Sequence, residues 1–599
     1  MFRQITCFST LLLAIATASP AIAAERPSAS RLLPDTTLAY VRVSNTQEFG
    51  EKFSETSMGK LLKDPEMAPF LTGVWSAITE SVENIEQQVG ISLNELLSIP
   101  NGELAFAVVP QEDDSLALVI FCDLGDRPQT AEKALEILKG FAIENGAAIE
   151  RSTYKGTKIT LIEGQNGLLA HVIKDNTLIL SNKLAALEDI LEYWDTPRES
   201  SLYDNDKFTT IISSSRGTKD EPAQFTWYVD PIELIRKASR NTPGSSFFLA
   251  FLPVLGVDGI QAVGGSMIMA TEDFDSVSHL HVMLERPRSG VIEMIAPKNT
   301  NPTPNDWVPA DVTTYMTVDW DVDKTYNALE KLYDSITGEG KLAENIDNRI
   351  NQRLMIDFKK EIIDNLDGRI TLVQWYEPPA RLNSQATMLG IQLKDSTAFQ
   401  RTIDSILDAT PGLKDNLEKK SFATFSYYQT ILQDRPLPDD ADEDRRQRTQ
   451  RARAMRPQPC FGIVGDFLFV TDRPGLMEHV MKTKRNVTDR LADDLSFKLM
   501  LSKLQHQAGE RSIGMLTFSK PEQALRMWYD MAQAESTTQL LDSQAENNQF
   551  FGALSKTMKD NPLPPFSVVS KYMAPSGSIM INDETGIHFM GFSLKRNQE

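Results

Sequence analysis

A pattern near the start of the chain returns near its middle. Leu33-Pro34, followed by Tyr40, Val41 and Val43, is answered by Val308-Pro309, Tyr315, Met316 and Val318. Later landmarks return in the same order. Asn101-Gly102 is answered by Asp367-Gly368, Asp175-Asn176 by Gly465-Asp466, Phe208 by Phe497, and Asp230-Pro231 by Lys520-Pro521. Gly265-Ser266-Met267-Ile268 is matched with Gly577-Ser578-Ile579-Met580. Such self-similarity constrains a fold strongly, because each copy has to bury the same faces. The shared order predicts a first repeat lobe at 31–286 and a second at 307–597. Pro287, Pro297, Pro302 and Pro304 interrupt regular structure between them and mark 287–306 as a linker.

Within the first lobe, apolar alternation predicts a hairpin of 104–109 with 116–121 around Gln111-Glu112-Asp113-Asp114. Further strands are expected at 157–162, 168–173 and 177–180. Met67, Leu71, Val74, Ile78, Val82, Ile85 and Val89 recur at steps of three or four and predict an amphipathic helix. Helical spacing also covers 131–141 and 184–193. Hairpins outnumber strand–helix–strand units, which excludes a doubly wound nucleotide fold. The expected class is α+β: two related lobes with mostly antiparallel sheets packed by helices.

Residues 1–23 read as a signal peptide. Arg3 gives the positive start, Leu11, Leu12, Leu13, Ala14, Ile15 and Ala16 the apolar stretch, and Ala21-Ile22-Ala23 the small residues before a cut at Ala24. Cys7 precedes the apolar stretch, so a lipid anchor at the cut is not expected. No later stretch is apolar for long enough to span a bilayer. The mature product is therefore expected to be soluble, periplasmic or secreted, with no transmembrane anchor. Against 61 Lys and Arg stand 82 Asp and Glu, a formal charge of -21. That excess argues against nucleic acid and anionic lipid as general partners. Cys122 and Cys460 sit among strand formers and read as small buried hydrophobes rather than a disulfide framework.

Two stretches depart from the repeat. In 435–456, Asp439, Asp440, Asp442, Glu443 and Asp444 precede Arg445, Arg446, Arg448, Arg451 and Arg453. This charged insertion reads as a solvated loop, or as a loop that binds a partner. Phe247, Phe248, Phe251 and Leu252 belong to an apolar run. It is either a buried turn or helix, or a patch for an envelope protein or apolar ligand.

The residues assign no catalytic, cofactor or metal role. His279 and His281 share one side of a strand, but a metal site needs more donors to converge. Gly264-Gly265-Ser266 lacks the Gly-x-Ser-x-Gly pattern of a hydrolase nucleophile. No phosphate loop or dinucleotide fingerprint is present. The leading reading is a binding or structural module; the alternative is a periplasmic hydrolase, or another enzyme, with an unrecognised polar active site.

The opening Leu33-Pro34-Asp35-Thr36-Thr37-Leu38-Ala39-Tyr40-Val41-Arg42-Val43, with its hairpin–helix blocks, resembles the DUF3352-like family of unknown function. Those are large exported bacterial proteins, common in planctomycetes. The resemblance, read across 31–597, implies an exported α+β envelope protein and supplies no catalytic residues. The insertion at 435–456 departs from it.

Overall fold

In the computed structural model, the described residues are 26–76, 95, 98–165, 167–216, 221–240, 242, 244–377, 384–432, 456–486, 488–533, 535–545 and 549–596. The signal-like 1–23, the later part of the helix expected from Met67, and Arg445, Arg446, Arg448, Arg451 and Arg453 lie outside them. The fold is a mixture of α-helices and antiparallel β-sheet. It divides into two compact units, Met1–Thr37 with Ser98–Asp206, and Leu38–Leu97 with Lys207–Glu599. Strands are numbered along the chain.

The smaller unit holds β2 (Leu104–Pro110), β3 (Leu116–Asp123), β4 (Ala148–Tyr154), β5 (Thr157–Gly164), β6 (Gly167–Lys174) and β7 (Thr177–Ser181). They pair antiparallel in the order β2–β3–β7–β6–β5–β4. The hairpin turns sit where short polar residues tolerate a left-handed backbone: Asp114 at φ 62°, Asp175 at 46° and Asn176 at 56°. Ala131 and Leu135 of the helix Pro128–Glu144 bury against Cys122, Leu124 and Leu178.

The larger unit contains β1 (Ala39–Val43), β8 (Phe225–Val229), β9 (Ile260–Met269), β10 (Phe274–Leu284), β11 (Thr314–Asp319), β12 (Leu366–Tyr376) and β13 (Gln385–Leu393). It continues with β14 (Leu417–Phe422), β15 (Phe425–Thr430), β16 (Cys460–Val464), β17 (Phe467–Thr471), β18 (Ile513–Ser519), β19 (Ser576–Asn582) and β20 (Gly586–Leu594). The antiparallel order runs β1–β8–β9–β10–β20–β19–β18–β11. From β11 the sheet continues β12–β13–β17–β16–β15–β14. Residues from before and after 287–306 thus share one sheet, through β10 and β20.

Alternation along each strand sends one set of side chains under helices. Phe208, on the helix Asp206–Ser214, meets Tyr40 and Tyr228 edge-on at 5.7 and 5.5 Å. Phe497, on the helix Leu495–Ala508, meets Tyr315 and Phe518 in the same manner at 5.8 and 5.3 Å. All six rings are buried. Edge-to-face contact adds to the apolar area removed from water, because the positive ring edge meets a negative face. Asp494 starts the second of these helices by accepting from the backbone of Phe497 at 2.9 Å. On the helix Pro474–Lys484, Leu476, Met477, Val480 and Met481 bury a further stripe. The main core collects these with Phe469, Phe518 and Ile579, and with Ile268, Phe274 and Val277 from earlier in the chain.

One expected match is a residue out. Gly264 lies opposite Tyr228, and Gly577 lies opposite Phe518. The ladder therefore sets Gly264, not Gly265, in the position that Gly577 holds beside its aromatic partner. Adjacent glycines hid the offset, since a shift of one residue turns a strand over.

Candidate functional site

At the end of β12 the pleat points Val373 into the core, and Trp375 follows on the same side two residues later. Pro521 fixes the first turn of the helix Pro521–Ala532 after β18. Glu522, Arg526 and Asp530 then recur every four residues, so they line one helical face. Phe566 opens the short helix Phe566–Ser570. These pieces, with Asp311 and Tyr376, enclose a cleft of about 870 Å³. An adjoining groove of about 460 Å³ shares Glu522 and Gln523 and is lined further by Lys520, Lys595 and Arg596.

The polar wiring of the cleft begins at Asp311. Its carboxylate lies 2.7 Å from His479 Nε2 and accepts from Trp375 Nε1 at 3.0 Å. The Trp375 and His479 rings stack with centroids 4.9 Å apart. Burial pushes the Asp311 carboxyl up, but the bonds from His479 and Trp375 outweigh it and hold the group below its ordinary value. Across the cleft the Arg526 guanidinium lies 5.2 Å from the Phe566 ring centroid and 3.5 Å from Asp530. Tyr376 Oη is buried and has no hydrogen-bond partner among the described residues. Its phenol is pushed up by burial first, and then by Asp530 against the opposing Arg526. The walls are thus aromatic, three carboxylates face one guanidinium, and one hydroxyl is unused.

The apolar run singled out in the sequence folds as the helix Ser245–Leu255. Leu252 is buried, while Phe247 is 72% exposed and Phe248 and Phe251 stand out beside it. Phe247 and Phe251, one turn apart, are in tilted ring contact with centroids 4.8 Å apart. Gly256 ends the helix at φ 70°, where a Cβ would lie 2.2 Å from the Ser289 carbonyl oxygen. Ser266 donates its hydroxyl to the Ser215 carbonyl at 2.5 Å and is buried in a structural role. His279 and His281 lie on one face of β10, beside His588 of β20, with all three rings buried. His279 Nδ1 is 3.2 Å from His588 Nε2. Among the described residues, no group of three or more His, Cys, Asp and Glu could hold a metal ion. Cys122 and Cys460 are buried free thiols, and burial pushes them up to about 11 and about 12. No helix among the described residues is long and apolar enough to cross a membrane.

Sequence reading did not find the cleft. Its parts come from Asp311, β12, His479 and the helices after β18 and before β19, and no local motif joins them. The spacing of Glu522, Arg526 and Asp530 was the only local signal, and it is shared by any solvated helix.

A family model described as "Protein of unknown function (DUF3352)" matches residues 9–243. The N-terminal part of this chain is similar to that family. The match takes in β1 to β8, and it ends before every residue of the cleft. No curated protein and no solved structure matches the chain.

Proposed function

We propose that this is an exported envelope protein, built from two rounds of one fold, that binds a ligand in the cleft between the end of β12 and the helix Pro521–Ala532. The observation that carries the reading is the cleft itself. Aromatic walls and an excess of carboxylate meet in one open concavity, as they do in a ligand site.

Duplication is supported by matched pairings outside the core as well as within it. Pro34 bridges Ser201, and Pro309 bridges Arg490. Leu202 N donates to Leu33 O, and Leu491 N to Val308 O. Asp230 N donates to Leu38 O, and Lys520 N to Thr313 O. The order β1–β8–β9–β10 is repeated by β11–β18–β19–β20. The boundaries 31–286 and 307–597 are thus proposed as repeats joined in one sheet. Export rests on Leu11 to Ala16 and on Ala21-Ile22-Ala23.

A pull-down with tagged mature chain, at low and high salt, tests the binding reading. Wild-type protein is expected to retain a ligand that an Asp530→Arg variant of unchanged circular dichroism loses. If nothing retained by the wild type depends on Arg526 or Asp530, the cleft is not a binding site. A hydrolytic reading draws on the Asp311–His479 pair alone. Ser570, which also lines the cleft, donates its hydroxyl to the Ser567 carbonyl at 3.4 Å rather than to that histidine.

A further inference from the structure

We infer, on the premise that the cleft is the binding site, that its ligand is a peptide segment with a Lys or Arg side chain near a carboxylate. The cationic side chain enters the larger chamber, and the carboxylate lies in the adjoining groove.

The two chambers carry opposite charge. Asp311, Glu522 and Asp530 outnumber Arg526 in the first. Asp530 lies 3.5 Å from Arg526, too far for a tight pair, and its side chain is half-buried. A carboxylate in that position attracts a second cation more strongly than an exposed one does, because less water screens it. Trp375, Tyr376 and Phe566 offer ring faces to the aliphatic stem and charged end of a lysine or arginine.

The second chamber is basic. Asp494 already holds Lys520 at 2.9 Å and Glu522 lies near Arg596, so Lys595 and Arg596 together still leave the lining with a positive excess. Arg596 is fixed by donating to the carbonyls of Ser570 and Met573 at 2.5 and 2.7 Å, with Glu522 3.6 Å away. A guanidinium held by carbonyls keeps its full charge for an incoming carboxylate. Gln523 stands on the wall common to both chambers, and its amide provides the donor and acceptor that a peptide bond requires. A simple polyamine would satisfy only the first chamber, and a fatty acid only the second.

The test uses the full mature chain and fluorescence anisotropy with three labelled hexapeptides. One carries a Lys and a Glu two residues apart. In the second norleucine replaces the Lys, and in the third Gln replaces the Glu. The charge-split peptide is expected to bind about tenfold tighter than either control. Asp530→Asn should abolish its advantage over the norleucine peptide alone, and Lys595→Gln its advantage over the Gln peptide alone. This crossed pattern cannot arise from general loss of fold. Equal affinity for all three peptides, still lost in Asp530→Arg, would overturn the charge-split ligand and leave the cleft as the site. Absence of peptide binding while the pull-down yields a ligand dependent on Asp530 would overturn it likewise. Failure of both experiments would remove the cleft as well.

Discussion

Gly264 and Gly577 hold the same place beside an aromatic partner, yet their surroundings differ. A Cβ on Gly264 would lie 2.5 Å from the Trp227 carbonyl oxygen and 2.5 Å from Ile211 Cγ2. On Gly577 it would meet Met500 Cγ at 2.8 Å and Leu504 Cδ1 at 3.0 Å, both side-chain atoms able to move. Gly264→Ala is expected to cost about 1–3 kcal/mol and Gly577→Ala less than about 1 kcal/mol, read from denaturant midpoints. A similar contrast appears in charge. Lys207 pairs with Asp230 at 2.5 Å, and Lys520 with Asp494 at 2.9 Å. The acid precedes the helix Pro231–Ser239 in one case, and the base precedes Pro521–Ala532 in the other. Lys520→Asp alone sets two carboxylates together and should destabilise by about 1–3 kcal/mol. Adding Asp494→Lys should restore the attraction but lose the cap on Phe497, leaving a deficit of about 1 kcal/mol. No recovery in the double variant would show that the pair contributes little. Tyr40, Tyr315, Phe208 and Phe497 were legible in the sequence because large rings at matched places have few alternatives. Asp311, Trp375 and His479 were not, because only folding brings them together.

Between β10 and β20, His281 and His588 are direct partners, and His279 follows two residues away. Burial holds His279 down at about 4 and His588 at about 3, and lowers His281 as well. Arg511 adds to the effect on His279 and His588, while Asp583 opposes it on His281 and His588. The unfolded chain takes up these protons near pH 6.5, and the folded chain refuses them until lower pH. Stability is therefore complete above about pH 6.5 and falls as pH drops toward 4, by up to about 1.4 kcal/mol per unit for each histidine. Neither ring nitrogen of His281 has a hydrogen-bond partner among the described residues, so His281→Leu sacrifices no bond. Denaturant titrations at pH 7, 5.5 and 4.5 should give the variant a shallower loss than the wild type. An unchanged slope would mean that His281 is already accessible to protons when folded. The sequence placed His279 and His281 on one face, since alternation alone decides that. It could not supply His588, which follows His281 by more than three hundred residues. Alternation also found the half-buried hairpin of β2 and β3, but β4 escaped, because an edge strand with Glu150, Arg151 and Tyr154 buries too little to show a pattern.

At the scale of the larger unit, the repeats proposed here are fused rather than strung together. Phe274 and Val277 lie in the same core as Phe592 and Leu594, and Phe274 and Phe592 are in ring contact at 4.7 Å. The sequence offered the recurring order because turn residues and aromatics leave marks that can be matched along a chain. It concealed the β10–β20 seam because nothing in a strand's own alternation names its neighbour. The stretch before 287–306 exposes Phe247, Phe248 and Phe251, and the stretch after it builds the cleft around Arg526 and Phe566. Native-state hydrogen exchange across the seam is the most direct test of a shared sheet. The amides of Val277, His279 and His281 are expected to open with the same free energy as those of Val373 and Phe469, in one cooperative unit. Exchange of β8, β9 and β10 at distinctly lower free energy, while β11 to β20 stay protected, would contradict it.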